Sequence, residues 1–364
     1  MITTPTLILD ERKCRKNIDA MVETCKTHQL SFRPHFKTHQ SLEIGRWFKK
    51  AGVSKITVSS LAMAEYFSEE WQNITVAFPV NILEIRTIIR LSKKIQLNVL
   101  VESVETAHFL NEHLTEAIGG FIKVNIGNNR TGLSTKDHKT ITSIIMAIES
   151  SPFLNFKGFL GHAGQTYACR SKQDIIETHL SAKLLLTQLK LHYIKDYPYI
   201  KISYGDTPSC SVATDFSGID EIRPGNFVFY DIMQYQIGSC DIDDIAVAMA
   251  CPIVSIHNNR NEIVVYGGGI HFSKDRIQNE KNNINFGQLV AHDKKGWHTI
   301  IEGAYLRSLS QEHGVITFEN GNLSNYELGD LVYILPVHSC MTANLMKSYT
   351  TLTNNEITMF NSTT

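Results

Sequence analysis

Residues 95–127 read IQLNVLVESVETAHFLNEHLTEAIGGFIKVNIG, and this stretch contains the repeat from which the fold is inferred. A β-rich run, Ile95–Glu102, leads into Val104–Ala117, where apolar residues recur at three and four, and a second β-rich run, Gly120–Gly127, follows. The change of period predicts strand, helix, strand, the unit of a parallel sheet. The same alternation extends in both directions, giving six further candidate strands at Ser31–Lys37, Lys55–Ser60, Asn73–Val80, Phe156–Gly164, Tyr199–Asp206 and Glu221–Tyr230. Helix-like stretches such as Ser41–Ala51 and Asp174–Tyr193 lie between them. Eight such units fit a closed (β/α)8 barrel of the TIM type better than an open sheet, and the barrel is expected over residues 11–240.

Beyond residue 240 the rhythm changes to short strands broken by Asn258-Asn259-Arg260-Asn261, Gly267-Gly268-Gly269 and Asn320-Gly321-Asn322. This predicts a smaller, mainly antiparallel β domain over residues 241–364. The run Thr6–Asp10 precedes the first barrel helix without a barrel partner, which leaves residues 1–10 as a candidate addition to that domain. The chain of 364 residues is long enough for both, with 43% hydrophobic and 20% charged residues, as in soluble globular proteins. A net charge of −1 without a basic stripe gives no footprint for nucleic acid or membrane, so the expected partner is a small molecule. The start MITTPTLILD lacks the basic and apolar regions of a signal peptide, and a cytoplasmic location is expected. Seven scattered cysteines without a C-x-x-C pair argue against a disulfide framework.

Barrel active sites are built at the C-terminal ends of the strands, so chemistry is sought there. The first strand ends Arg33-Pro34-His35-Phe36-Lys37-Thr38-His39, and period-two alternation places His35, Lys37 and His39 on one face, toward the lumen. A lysine directed into a barrel is costly unless it is paired or reacting. The seventh strand ends Ser203-Tyr204-Gly205-Asp206-Thr207-Pro208-Ser209 and the eighth carries Arg223-Pro224-Gly225-Asn226, at the two loops where barrels commonly bind phosphate. A reactive lysine opposite a phosphate site is what pyridoxal 5′-phosphate (PLP) enzymes require. The fifth strand adds Arg130, a cation for the cofactor's phenolate oxygen, and the sixth adds His162 and Tyr167. Taken singly, Arg130 reads as a rim ion pair and His162 as a satisfied core histidine; the combination at strand ends is harder to dismiss. In Pro336-Val337-His338-Ser339-Cys340, residues i and i+2 of an extended segment share a face, so His338 and Cys340 could grip one soft or borderline metal, most plausibly zinc.

In this order the motifs resemble the D-serine dehydratase and D-threonine aldolase family of fold-type III PLP enzymes, relatives of alanine racemase. The likeness runs from Thr4-Pro5-Thr6-Leu7 through Arg33–His39, Asn129-Arg130-Thr131-Gly132, Gly161-His162-Ala163-Gly164, Thr207-Pro208-Ser209 and Glu221–Asp231 to Ser310-Gln311-Glu312-His313-Gly314 and Pro336–Cys340. The resemblance implies that Lys37 is the Schiff-base lysine, that Tyr167 contacts cofactor or substrate, that Thr207, Gly225 and Asn226 cradle the phosphate, and that Arg223 lies beside the pyridine nitrogen. It further implies that His338 and Cys340 bind zinc, or another divalent metal, and that the chain is a homodimer. The family's D-threonine aldolases have an aspartate where this chain has Cys340, which favours a zinc-dependent D-serine dehydratase. Its eukaryotic dehydratases have a tyrosine where Leu160 stands.

On this reading D-serine would lose its Cα proton to Lys37 and its β-hydroxyl as a leaving group assisted by the metal as Lewis acid, and the resulting aminoacrylate would hydrolyse to pyruvate and ammonia. The nearest rival is D-threonine aldolase chemistry, giving glycine and acetaldehyde. A racemase needs a second acid/base on the opposite face of the ring, which no residue supplies in the sequence. A PLP-binding carrier without turnover has little use for the His338/Cys340 pair.

Overall fold

The computed structural model describes residues 2–279, 281–321 and 323–361. They form two compact units. One comprises the stretch up to Ile18, Thr38–Ile44 and Asn226–Asn361, and the other Asp19–Lys37 and Gly45–Gly225. This division differs from a boundary at 240/241. The reason is local: Asn17, on the first helix, donates through Nδ2 to the carbonyls of Val228 and Asp244 (3.4 and 2.7 Å), tying the 226–244 segment to the chain's beginning.

The first strand, β1 (Thr6–Leu9), pairs antiparallel with the long strand Val247–His257, so the orphan strand of the sequence is a member of the β unit. The barrel strands follow: β2 (Ser31–Phe32), β3 (Ile56–Val58), β4 (Asn73–Pro79), β5 (Gln96–Val101), β6 (Ile118–Asn125), β7 (Leu154–Leu160), β8 (Lys201–Tyr204) and β9 (Glu221–Ile222). All pair in parallel, in the order β2-β9-β8-β7-β6-β5-β4-β3. The ring is closed by a parallel bridge between His35 and Thr57, reinforced by Thr57 N–H donating to Pro34 and Phe36 N–H to Thr57 (2.9 and 2.8 Å). The expected barrel is therefore present, with β2 and β9 shorter than the apolar runs suggested. Pro34 and Pro224 lack the N–H that a continuing ladder needs.

Period two sorts each strand into a lumen face and a helix face. On β6, a Cβ at Gly120 would touch Ile148 of the helix His138–Glu149, so even residues face outward and Phe121 and Lys123 face the lumen. Leu100, Phe121 and Leu160 pack with Ala77 as one apolar layer of the interior. Leu160 is buried there, where a tyrosine hydroxyl would need a partner. Below this layer the lumen is polar: Arg33 and Glu221, both about 5% exposed, pair at 2.9 Å, and Ser203 donates to Glu221 (2.7 Å).

The β unit holds a nine-stranded sheet. After β1 come β10 (Val247–His257), β11 (Glu262–Tyr266), β12 (Gly287–Asp293), β13 (Gly296–Leu309), β14 (His313–Phe318), β15 (Leu331–Pro336), β16 (Ser348–Thr351) and β17 (Glu356–Thr358), in the order β11-β14-β13-β12-β15-β10-β1-β16-β17. Apart from the parallel β1–β16 pair the sheet is antiparallel. Of the expected breaks, Asn258–Asn261 is the hairpin between β10 and β11, with Asn261 left-handed (φ 53°); Gly267–Gly269 leads into a short helix, Gly269–Phe272; and Gly321 (φ 68°) follows β14 in a connection between strands that do not pair, while Asn322 lies outside the described residues. No helix among the described residues is long and apolar enough to cross a membrane.

Candidate active site

Above the apolar layer the lumen turns cationic. His35 and His162 lie half-buried at the strand ends, and both imidazoles are held below their ordinary range: desolvation acts first on each, and the positive charges of Lys37, Arg223 and Arg130 add to it. His162 is lowered to about 3, despite the Nδ1 contact with the Gly205 carbonyl at 2.6 Å. Both are neutral at pH 7. Lys123, buried two residues beyond Phe121, is lowered to about 8 by burial and by Arg223 and Arg130, against the pull of Glu102. Its Nζ donates to the Val124 carbonyl (2.8 Å).

Arg223 is fixed before any ligand arrives. It donates through Nε to Ser203 Oγ (2.8 Å) and through Nη2 to the Gly161 carbonyl (2.6 Å), so its guanidinium is held by the two neighbouring strands. The close approach of the seventh and eighth strand ends demands glycine at 205: a Cβ there would stand 2.7 Å from Arg223 N, and φ is +157°. Asp206 then caps the short helix Thr207–Val212, accepting from Ser209 N (2.7 Å) and from Thr166 Oγ1 (2.9 Å). Thr207 is fully buried at the start of that helix, Gly225 is half-buried, and Tyr167 is half-buried on the turn Gly164–Ala168. Arg130 is exposed on a loop whose shape is set by Asn125, which accepts from Gly127 N and Asn129 N (both 3.1 Å), and by Glu102, which accepts from Gly132 N (3.2 Å).

Lys37 does not sit on an extended strand. The chain leaves β2 after Phe32, touches β3 at His35, and turns through residues 36–39, which leaves Lys37 exposed just past the bridge. The expected shared face of His35, Lys37 and His39 is therefore not formed. His39 is fully buried with its Nδ1 accepting from Ser41 N (3.1 Å), a turn-capping role. Lys123 was missed by the sequence reading, although a lysine inside the apolar run IGGFIKVN is a signal that could have found it. A cavity of about 200 Å³ lined by Ser59, Leu61, Phe78, Val80, Asn81 and Glu84 is separate from this cluster.

A dianionic phosphate and a phenolate suit such a cluster. Four cations converge and both histidines stay neutral, which leaves the strand ends with a net positive charge. These residues fit PLP.

In the β unit, His338 and Cys340 meet by a different route from the one expected. β15 ends at Pro336, His338 is the N-cap of the helix Ser339–Met346 (φ −133°, ψ 95°), and Cys340 lies in its first turn, so i, i+2 alternation does not apply. The two side chains nevertheless hydrogen-bond. His338 Nδ1 also bonds Asp275 Oδ2 (3.2 Å). Burial pulls the His338 imidazole down, but Asp275, Cys340 and the charge of Asp231 more than offset this and push it up to about 11. The surroundings thus favour a positive charge, and the nitrogen–sulfur donor pair suits a borderline cation such as zinc. Among the described residues no cluster of three or more His, Cys, Asp or Glu side chains is arranged to hold a metal. The Asn226 side chain belongs to this region: Nδ2 reaches Asp231 Oδ2 (2.7 Å), Ser339 Oγ (3.1 Å) and Cys340 Sγ (3.4 Å). Its amide donors are thereby committed away from a phosphate.

The eight-stranded parallel barrel followed by a mainly antiparallel sheet defines the alanine racemase-like fold. Residues 9–231 match the family described as "Alanine racemase, N-terminal domain", and residues 246–352 match "Putative serine dehydratase domain". The chain belongs to the D-serine dehydratase and D-threonine aldolase family, whose members are PLP-dependent lyases acting on D-amino acids. It is 29% identical to a D-serine dehydratase of Dictyostelium discoideum, across 97% of this chain and 94% of that one. It is 25% identical to a D-threo-3-hydroxyaspartate dehydratase of a Delftia species, across 96% and 94%. A solved structure of a cysteine-to-alanine variant of a D-threo-3-hydroxyaspartate dehydratase, in its metal-free form, superposes with a TM-score of 0.91 at 23% identity, covering 100% of this chain and 98% of that one.

Proposed function

We propose that the chain is a zinc-dependent D-serine dehydratase, converting D-serine to pyruvate and ammonia. The observation that carries this reading is the His338–Cys340 pair, a nitrogen–sulfur donor set oriented by Asp275 in a chain whose barrel bears a PLP-type lysine. Lys37 would hold the cofactor through Nζ, with Arg223 beside the pyridine nitrogen and Arg130 near the phenolate oxygen. Thr207, Gly225 and the main-chain N–H of Asn226 would surround the phosphate, and Tyr167 would face cofactor or substrate. PLP supplies an electron sink for the charge left on the substrate's Cα, and zinc on His338 and Cys340 would supply Lewis-acid assistance to the departing β-hydroxyl.

The chain's own residues do the rest. Lys37 Nζ, exposed at the strand end, would take the Cα proton once the substrate's amine has displaced it from the cofactor. His35 and His162 are held neutral by burial and by Lys37, Arg223 and Arg130, so they add no charge beside it. Arg223 keeps its place through Ser203 and Gly161, which positions a fixed cation without reorganisation during reaction. The family likeness also supports a homodimer, and the start of the sequence a cytoplasmic location.

The test is to record the visible spectrum of the purified protein, add D-serine or D-threonine with and without chelator, and assay pyruvate and glycine together. A visible cofactor band with chelator-sensitive pyruvate from D-serine is the expected result. Glycine from D-threonine would move the assignment to the aldolase, and no band even after added PLP would overturn the reading from Lys37 outward.

A further inference from the structure

Resting on the metal reading above, we infer that Asn226 and Thr38 are positioning residues for the metal thiolate, holding Cys340 Sγ in place from two sides. Sγ lies 3.2 Å from Thr38 Oγ1 and accepts from Asn226 Nδ2 at 3.4 Å, all three side chains being buried. Asn226 is in turn anchored by Asp231, whose Oδ2 also takes the N–H and the hydroxyl of Ser339 (3.0 and 3.3 Å). Asp231 Oδ1 accepts from Gln234 N (2.9 Å) and caps the following helix, so the carboxylate is locked at both oxygens. The chain of contacts runs from a rigid helix cap through an amide to the sulfur. Hydrogen bonds donated to a sulfur stabilise its anionic form, which is the form that binds a metal, and groups of this kind commonly alter metal affinity 10–100-fold when removed.

The geometry also argues against the alternative employment of this side chain. The Nδ2 hydrogens already face three acceptors, and Asn226 Oδ1 is buried without a partner among the described residues. A phosphate dianion offers acceptors only, so it cannot satisfy Oδ1, and the Nδ2 hydrogens are spoken for. The amide orientation follows from the Asp231 carboxylate, which requires the donor on its side.

The experiment uses the full-length holoenzyme and its Asn226→Leu and Thr38→Val variants, each checked by circular dichroism for folding. Thr38→Val is nearly isosteric, so it keeps the test alive if Asn226→Leu does not fold. Cobalt(II) is loaded in place of the native metal, its sulfur-to-cobalt charge-transfer band is recorded, and its affinity is measured by competition with a chelator. The expected result is a weakening of cobalt binding by roughly 10–100-fold in each folded variant, with a shifted charge-transfer band and an unchanged affinity for PLP. Cobalt affinity and band within twofold of the parent would overturn the positioning role. Weakened PLP binding with intact cobalt binding in Asn226→Leu would overturn it in favour of a phosphate contact. A parent enzyme that shows no sulfur–cobalt band at all would instead overturn the metal reading on which the inference rests.

Discussion

Arg33→Met tests whether the polar floor of the barrel is a clasp. Arg33 spans three strands: Nε meets Glu221 Oε2 of β9 at 2.9 Å, and Nη1 reaches Asn73 Oδ1 of β4 (2.7 Å) and the Ile56 carbonyl of β3 (3.4 Å). Methionine keeps much of the apolar stem and removes the charge. Glu221, about 5% exposed, would retain Ser203 Oγ at 2.7 Å and a distant Lys55 at 4.0 Å. Removing one partner of a buried pair costs about 3–5 kcal/mol, since the remaining charge is left desolvated. At roughly 2–4 °C per kcal/mol the unfolding midpoint should fall by about 10 °C. The double variant Arg33→Met/Glu221→Leu should recover part of the loss. The pH dependence gives a sharper test. In the parent, burial pushes the Glu221 carboxyl up, but Arg33 and Ser203 more than offset this and hold it below its ordinary value. Its contribution is therefore present above the unfolded pKa and is lost as pH falls through the folded one. Without Arg33, burial prevails and the folded pKa rises, so the carboxylate costs stability at neutral pH and the cost fades as pH falls toward 4. The gap between parent and variant should shrink steadily from pH 7 to pH 4 in denaturant titrations. A loss under about 1 kcal/mol, or a gap that stays constant with pH, would refute the reasoning.

Lys37→Ala should lose the visible cofactor absorption together with turnover, and retention of both would remove Lys37 from its role. Gly205→Ala places a Cβ 2.7 Å from Arg223 N at a φ of +157°, so a loss of about 1–3 kcal/mol and a faster loss of PLP on dialysis are expected, checked by thermal melts and absorbance. Asp206 is fully buried, and burial raises its carboxyl to about 6 against the pull of Ser209, Thr166 and Tyr204. A raised carboxyl costs stability above its unfolded pKa, up to about 3 kcal/mol at pH 7 for a shift of this size. Asp206→Asn, whose Oδ1 can still accept from Ser209 N and Thr166 Oγ1, should flatten the stability profile between pH 4 and pH 6, and a profile that stays as steep would count against this account.

The barrel was legible because period is a local property: each of the eight apolar runs overlaps an observed strand, and Asp174–Tyr193 lies within the helix Lys172–Tyr193. Strand ends were less legible, since prolines break ladders without interrupting hydrophobicity, which is why Glu221–Tyr230 ends as a strand at Ile222. The site was legible as residue types at strand ends, but not as geometry. Lys37 lies in a turn, where period two carries no information. His338 and Cys340 are neighbours through a helix cap, and Asn226 is anchored by the nearby Asp231 so that it faces Cys340. The Asn226–Cys340 contact joins residues 114 apart, which no local pattern encodes.

The convergence of Lys37, Lys123, Arg130 and Arg223 also bears on how the enzyme is handled. A mouth of positive potential draws in every small anion, not one alone, and it does so with a strength that ionic screening erodes within about 10 Å at 0.1 M salt. Inorganic phosphate and sulfate should therefore compete for the loops proposed to receive the cofactor's phosphate. Reconstitution in an amine buffer of low ionic strength should be fast, whereas a phosphate buffer or an ammonium sulfate step during purification should strip the cofactor and slow its return.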